Sequence, residues 1–112
     1  MQTSYYAKYK GENSVSIAGK CATWYKGREY KKLAPRYWFF KKYKEDGNKE
    51  FYTEQYYKEV LDKLNPQQVY EELGEDAVLL CWEKSGEFCH RRLVASWLEK
   101  ELGIKVNEFD NL

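Results

Sequence analysis

The sequence predicts an α/β fold: a small three-layer domain with a short, mostly parallel sheet flanked by helices. Three observations carry this. Residues 77–83 form an apolar run up to Glu83, the pattern of a central strand covered on both faces. Residues 89–102 carry Leu93, Val94, Trp97, Leu98 and Leu102 on one helical stripe, stopped by Gly103. Residues 104–109 then alternate as a strand. Strand, helix and strand in succession form the unit of a parallel sheet with a right-handed crossover.

The other elements follow in chain order. Thr3 or Ser4 is expected to cap a helical turn through Tyr5, Tyr6 and Tyr9. Ser14-Val15-Ser16-Ile17-Ala18 alternates with β-branched residues and reads as the first strand. Residues 19–28 hold two glycines and three cations without periodicity, the mark of a functional loop. Pro35 opens a helix over residues 36–45 whose aromatic stripe is read as core-facing, with snorkelling lysines. Asp46-Gly47-Asn48 is a turn, and Thr53 is expected to cap the next helix. Asn65-Pro66 restarts a short helix closed by Gly74. Residues 110–112 read as a frayed tail.

At 112 residues the chain is one domain. Its net charge is +1, so it is no polyelectrolyte binder as a whole. Residues 1–50 nevertheless hold 12 Lys/Arg against 5 Asp/Glu, and residues 51–112 hold 7 against 13. The expected outcome is that the halves interleave and neutralise; the rival is an anionic partner for the basic half. Three cysteines cannot all pair within one chain, which argues for reduced thiols. The N-terminus carries no apolar signal region and no run approaches the roughly 20 residues that span a bilayer. A cytoplasmic protein with no membrane partner is expected.

Chemistry concentrates between Cys81 and Arg92, where a strand turns into a helix. Cys81, Glu83, Cys89, His90, Arg91 and Arg92 gather there. In parallel sheets ligands sit outside the carboxyl ends of strands, and here the loop after Ala18 would adjoin that junction. A helix N-terminus favours an anion. Arg91 and Arg92, expected toward the rim, add charged donors, and Ser16, Lys20, Lys26 or Arg28 close from the other loop. Trp24 or Tyr30 stacks a base. Glu83, Cys89 and His90 are the candidate catalytic groups: a general base, a thiolate-prone nucleophile and a neutral imidazole. Glu83 and Arg91 are the residues expected to face the ligand.

A nucleotide or other phosphate-bearing small molecule is the expected partner, with a hydrolase or transferase reaction in view. The alternative is a nucleic-acid or protein interaction module that uses the basic aromatic N-terminal half, without catalysis. The tyrosine-phosphatase loop is excluded, because six residues after Cys81 and Cys89 stand Glu87 and Ala95. A zinc site from Cys21, Cys81, Cys89 and His90 is disfavoured, because adjacent Cys89 and His90 diverge on a helix and no Cys-x-x-Cys pair exists. Neither metal nor other cofactor is expected.

Several motifs occur in a familiar order: Thr3-Ser4-Tyr5-Tyr6-Ala7, Val15-Ser16-Ile17-Ala18, Trp24-Tyr25-Lys26-Gly27, Leu33-Ala34-Pro35 and Tyr56-Tyr57. They lead to Val78-Leu79-Leu80-Cys81-Trp82-Glu83-Lys84 and Phe88-Cys89-His90-Arg91-Arg92-Leu93-Val94-Ala95. Together they resemble the signature of the bacterial domain-of-unknown-function 488 family over nearly the whole chain. The resemblance implies a small α/β domain with its Cys-His-Arg motif, here Cys89, His90 and Arg91, at the strand-to-helix junction. It implies no settled activity. Cys21-Ala22-Thr23 stands where similar proteins tend to carry a proline.

Overall fold

The computed structural model describes residues 1–109, so the tail at 110–112 lies outside the described residues. Five strands form one sheet: β1 (Gln2–Tyr5), β2 (Ser14–Ser16), β3 (Arg28–Glu29), β4 (Val78–Cys81) and β5 (Asn107–Glu108). Their order is β3-β2-β4-β1-β5 and every pairing is parallel. Four helices complete the fold: α1 (Tyr37–Asp46), α2 (Lys49–Glu59), α3 (Pro66–Leu73) and α4 (His90–Leu102).

Alternation along the strands divides the sheet into two faces. Val15, Ile17 and Leu79 pack with Phe39, Tyr56, Val69, Val94 and Leu98, so all four helices share one core on one face. Val78 and Leu80 face the other way, under Tyr6, Ala22, Tyr9 and Tyr25. The third layer is thus built from aromatic loops rather than helices. Ring-to-ring contacts hold it together, with Tyr6 edge-on to Trp24, Tyr25 and Trp82. Tyrosine hydroxyls tie it to the sheet, Tyr6 to Ser16 at 2.5 Å and Tyr25 to Ser14 at 3.2 Å.

The N-terminal segment is a strand where a helical turn was expected. β1 lies between β4 and β5 with Thr3 and Ser4 both fully buried. Backbone pairing to both neighbours satisfies the amides, and Thr3 Oγ1 donates to Glu108 and accepts from Arg92, so Thr3 is tolerated at the centre, whereas the buried Ser4 hydroxyl has no side-chain or backbone partner among the described residues. Only after Tyr5 does a single turn form, closed by the Lys8 and Tyr9 amides on the Tyr5 carbonyl. The last strand is shorter than the expected 104–109. It pairs with β1, not β4, through residues 107 and 108. β3 begins at Arg28, the last residue of the segment read as a loop.

α2 begins before Thr53. Gly47, at φ 65°, ends α1 in the left-handed conformation that glycine adopts freely. Asn48 then caps α2, its Oδ1 accepting from the Phe51 amide at 3.0 Å. Thr53 is an interior residue whose hydroxyl donates back to the Lys49 carbonyl. In α1, Phe39 is buried and Phe40 and Tyr43 pack on the core, but Tyr37 and Trp38 remain 71% and 49% exposed. The charged halves interleave: Lys32 pairs with Glu72 and Lys44 with Glu83, each at 3.2 Å. Among the described residues no helix is long and apolar enough to cross a membrane.

Capping separates the two candidate starts of α2. Asn48→Ala should cost about 1 kcal/mol, whereas Thr53→Ala should stay within about 0.5 kcal/mol. Urea unfolding midpoints of the two variants measure this, and the reverse order would relocate the cap.

Candidate functional site

β2 and β4 are neighbours, yet the chain leaves them in opposite directions. From β2 it runs outward to β3; from β4 it passes over β1 to β5. Such a reversal opens a crevice beyond the carboxyl ends of the strands. A cavity of about 500 Å³ lies there, lined by Ala18, Gly19 and Lys20 after β2 and by Cys81, Trp82 and Glu83 after β4. Ala34, Pro35, Tyr37 and Phe40 close it from the start of α1, and His90 forms its floor at the start of α4. The rim is braced by Trp82 Nε1, which donates to the Lys20 carbonyl at 2.9 Å. Trp82 itself is 52% exposed.

His90 is buried and fixed. Its Nε2 lies 2.7 Å from the Ile17 carbonyl. A carbonyl only accepts, so Nε2 carries the proton and Nδ1 of the neutral ring has a free lone pair. Burial pushes its pKa down to about 4, partly opposed by that hydrogen bond and by Glu83. Nδ1 faces the Cys89 sulfur at 3.7 Å. Cys89 is the residue before α4 and has extended backbone, φ −152° and ψ 145°. Its side chain therefore does not diverge from that of His90 as consecutive helical residues would, and it reaches the end of β4. The Cys81 and Cys89 sulfurs are bonded and Cys21 is free, in place of the three reduced thiols that the odd count suggested.

Arg91 differs most from expectation. It is fully buried, not at the rim. Nε and Nη2 donate to the two Glu108 carboxylate oxygens at 3.1 and 2.8 Å, and Nη1 donates to the Glu83 carbonyl at 2.7 Å and the Cys81 sulfur at 3.0 Å. Burial would raise the Glu108 pKa, but donation from Arg91, Thr3 and Ser85 outweighs it and holds the carboxyl below its ordinary value. Arg92 donates to Thr3 Oγ1 and the Val106 carbonyl. Arg91 donates from all three of its guanidinium nitrogens within the protein, and Arg92 from Nη1.

Of the residues singled out from sequence, Lys20, Glu83 and His90 line the cavity, with Cys89 directly behind in a small adjoining pocket. Glu83 is paired with Lys44. Ser16 is buried on the loop face against Tyr6. Trp24 stands on that same face with Lys10 over its ring at 4.6 Å. Tyr30 donates to Glu72 of α3, and Lys26 is exposed and lines none of the described cavities. Sequence reasoning missed Tyr37, Phe40 and Trp82 as walls and Glu108 as the partner of Arg91. The signal for Tyr37 was available: a large ring directly after Pro35-Arg36, at a helix start facing the strand ends.

Residues 2–102 match the family model DUF488-N3a, described as the active DUF488-N3 subclade. No curated protein and no solved structure matches the chain.

Glu108→Ala would leave the buried Arg91 cation unpaired, at an expected cost of about 3–5 kcal/mol, with Glu108→Gln costing less. The stabilisation from Glu108 is complete above the ordinary value of 4.5 and is lost as pH falls through the lower folded value. The His90 contribution, lost between its ordinary 6.5 and about 4, is common to both proteins. Unfolding midpoints should therefore converge between wild type and Glu108→Gln on acidification below about pH 4.5. A constant gap down to low pH would contradict the role given to this carboxylate.

Proposed function

The chain belongs to the DUF488 family, and from that premise and the cleft we propose a domain that binds a nucleotide or similar ring-bearing phosphate, as an enzyme of hydrolase or transferase type. The observation that carries this is the composition of the 500 Å³ cavity at the strand reversal. Trp82, Tyr37 and Phe40 offer flat apolar walls, the environment that takes a base. Lys20 stands at the rim as the cation for a phosphate, and the first residue of α4 brings the positive end of a 13-residue helix to the floor. This division of an apolar slot from a cationic rim suits a nucleotide better than a free phosphate.

Glu83 is the acid–base group of this reading. It lines the cavity, and its partner Lys44 keeps a proton donor beside it. His90 acts as a neutral hydrogen-bonding group, since its Nε2 proton is committed to Ile17. Arg91 and Arg92 act as struts that hold the junction. The description of the matching family model as an active subclade favours catalysis over binding alone. A second reading, single-stranded nucleic acid, draws on the exposed Tyr37 and Trp38 beside the lysines of α1.

Titration with nucleoside mono-, di- and triphosphates and with sugar phosphates, followed by tryptophan fluorescence and calorimetry, tests the proposal. Nucleotides should bind more tightly than sugar phosphates. Trp82→Ala and Lys20→Ala should each weaken binding about tenfold, the scale of one stacking or phosphate contact. Glu83→Gln should bind normally and abolish any turnover. The proposal fails if none of the panel binds or if Trp82→Ala binds as wild type. Tighter binding of oligonucleotides, lost steeply with salt, would favour the second reading.

A further inference from the structure

The two sulfurs of Cys81 and Cys89 and the Nδ1 lone pair of His90 form a donor set to which the nucleotide reading gives no role. The Cys81 and Cys89 sulfurs and a ring nitrogen of His90 lie within 4.8 Å of one another, all three residues buried. From this geometry we infer that the dithiol form of the protein holds a divalent cation of the zinc class between these three side chains.

Four observations support the inference. Two thiolates and an imidazole are the ligands zinc prefers over harder cations. The His90 Nε2 proton is fixed on the Ile17 carbonyl at 2.7 Å, which turns Nδ1 toward the sulfurs; a metal-binding histidine is held by such an outer hydrogen bond. The Cα atoms of Cys81 and Cys89 are 7.3 Å apart, wider than most disulfides span and suited to two thiolates meeting at one ion. The charges also balance. Arg91 Nη1 lies 3.0 Å from the Cys81 sulfur, but Glu108 already neutralises its cation, so two thiolates and a doubly charged ion form a neutral group.

The chemistry is balanced as follows. A dithiol reductant is oxidised to its cyclic disulfide and delivers two electrons and two protons, which turn the Cys81–Cys89 bond into two thiols. Binding of the ion releases those two protons to solvent. Three protein ligands leave the fourth position open. Cys81 and His90 both line the large cavity, so that position faces the ligand cleft. The site rests on this geometry alone and stands whether or not nucleotides bind.

The test uses the full chain, reduced with a dithiol and desalted under nitrogen. Cobalt(II) is the first probe and should give one-to-one binding with thiolate charge-transfer bands. Zinc should displace it and should shield Cys81 and Cys89, but not Cys21, from alkylation read by mass spectrometry. Cys21→Ser should retain both results, while Cys81→Ser, Cys89→Ser and His90→Gln should each weaken the ion at least about tenfold. The alkylation pattern of the wild-type chain decides the matter if a variant does not fold. Absence of charge-transfer bands, equal alkylation of all three cysteines with zinc present, or a Cys81–Cys89 bond that native reduction leaves intact would each overturn the inference.

Discussion

The pairing of Arg91 with Glu108 is the interaction on which the junction depends. A guanidinium with no exposed surface sits beneath the strand ends. It binds the Glu83 carbonyl on one side and the Glu108 carboxylate on the other. The first contact fixes how the chain leaves β4, and the second fixes the edge strand β5. Thr3 and Ser85 complete the carboxylate's hydrogen bonds, bringing β1 and the β4–α4 loop into the same network. Removing Glu108 leaves the buried Arg91 and Thr3 without their shared acceptor, which is why such networks behave as a unit.

What the sequence made legible followed apolar pattern and helix punctuation. β4 was readable because it is apolar throughout, and α3 because Asn65-Pro66 and Gly74 mark both its ends. β1 was hidden because its buried centre is Thr3-Ser4, hydroxyls that carry no hydrophobic signal; Thr3 finds its partners, Glu108 and Arg92, far along the chain, and the Ser4 hydroxyl has none. Arg91 was misplaced for a related reason. Arg91, Val94, Ala95 and Leu98 form the fully buried stripe of α4, with helical spacing of three, one and three. Charge argued against reading Arg91 as part of it, and its compensating Glu108 lies in another element. Backbone conformation was equally invisible: Cys89 and His90 diverge only if both are helical, and Cys89 is extended.

The cleft was half legible. Its β4 side was located from the cluster of reactive residues, and its β2 side from the rule that parallel strands bring their exits together. The ring of Tyr37 was passed over because aromatic residues at helical spacing are read as core, and that of Trp82 because it stands in the apolar run read as a buried strand. In α1 that reading holds for Phe39 and fails two residues earlier, at the first turn, where the helix overhangs the end of the sheet. The charge imbalance between the halves has its counterpart in Lys32–Glu72 and Lys44–Glu83, which cross between them.

The position of β1 also bears on how the chain assembles during synthesis. Its register joins Gln2 to Val78 on one side and to Asn107 on the other. No hairpin is available to it, because every strand pairing is parallel. β1 therefore precedes both its partners along the chain: β4 follows three of the helices and β5 follows all four. Long loop closures of this kind slow folding and leave strand edges open meanwhile. Its Thr and Ser side chains, which made it hard to recognise, also make an unpaired β1 a poor seed for aggregation while it waits.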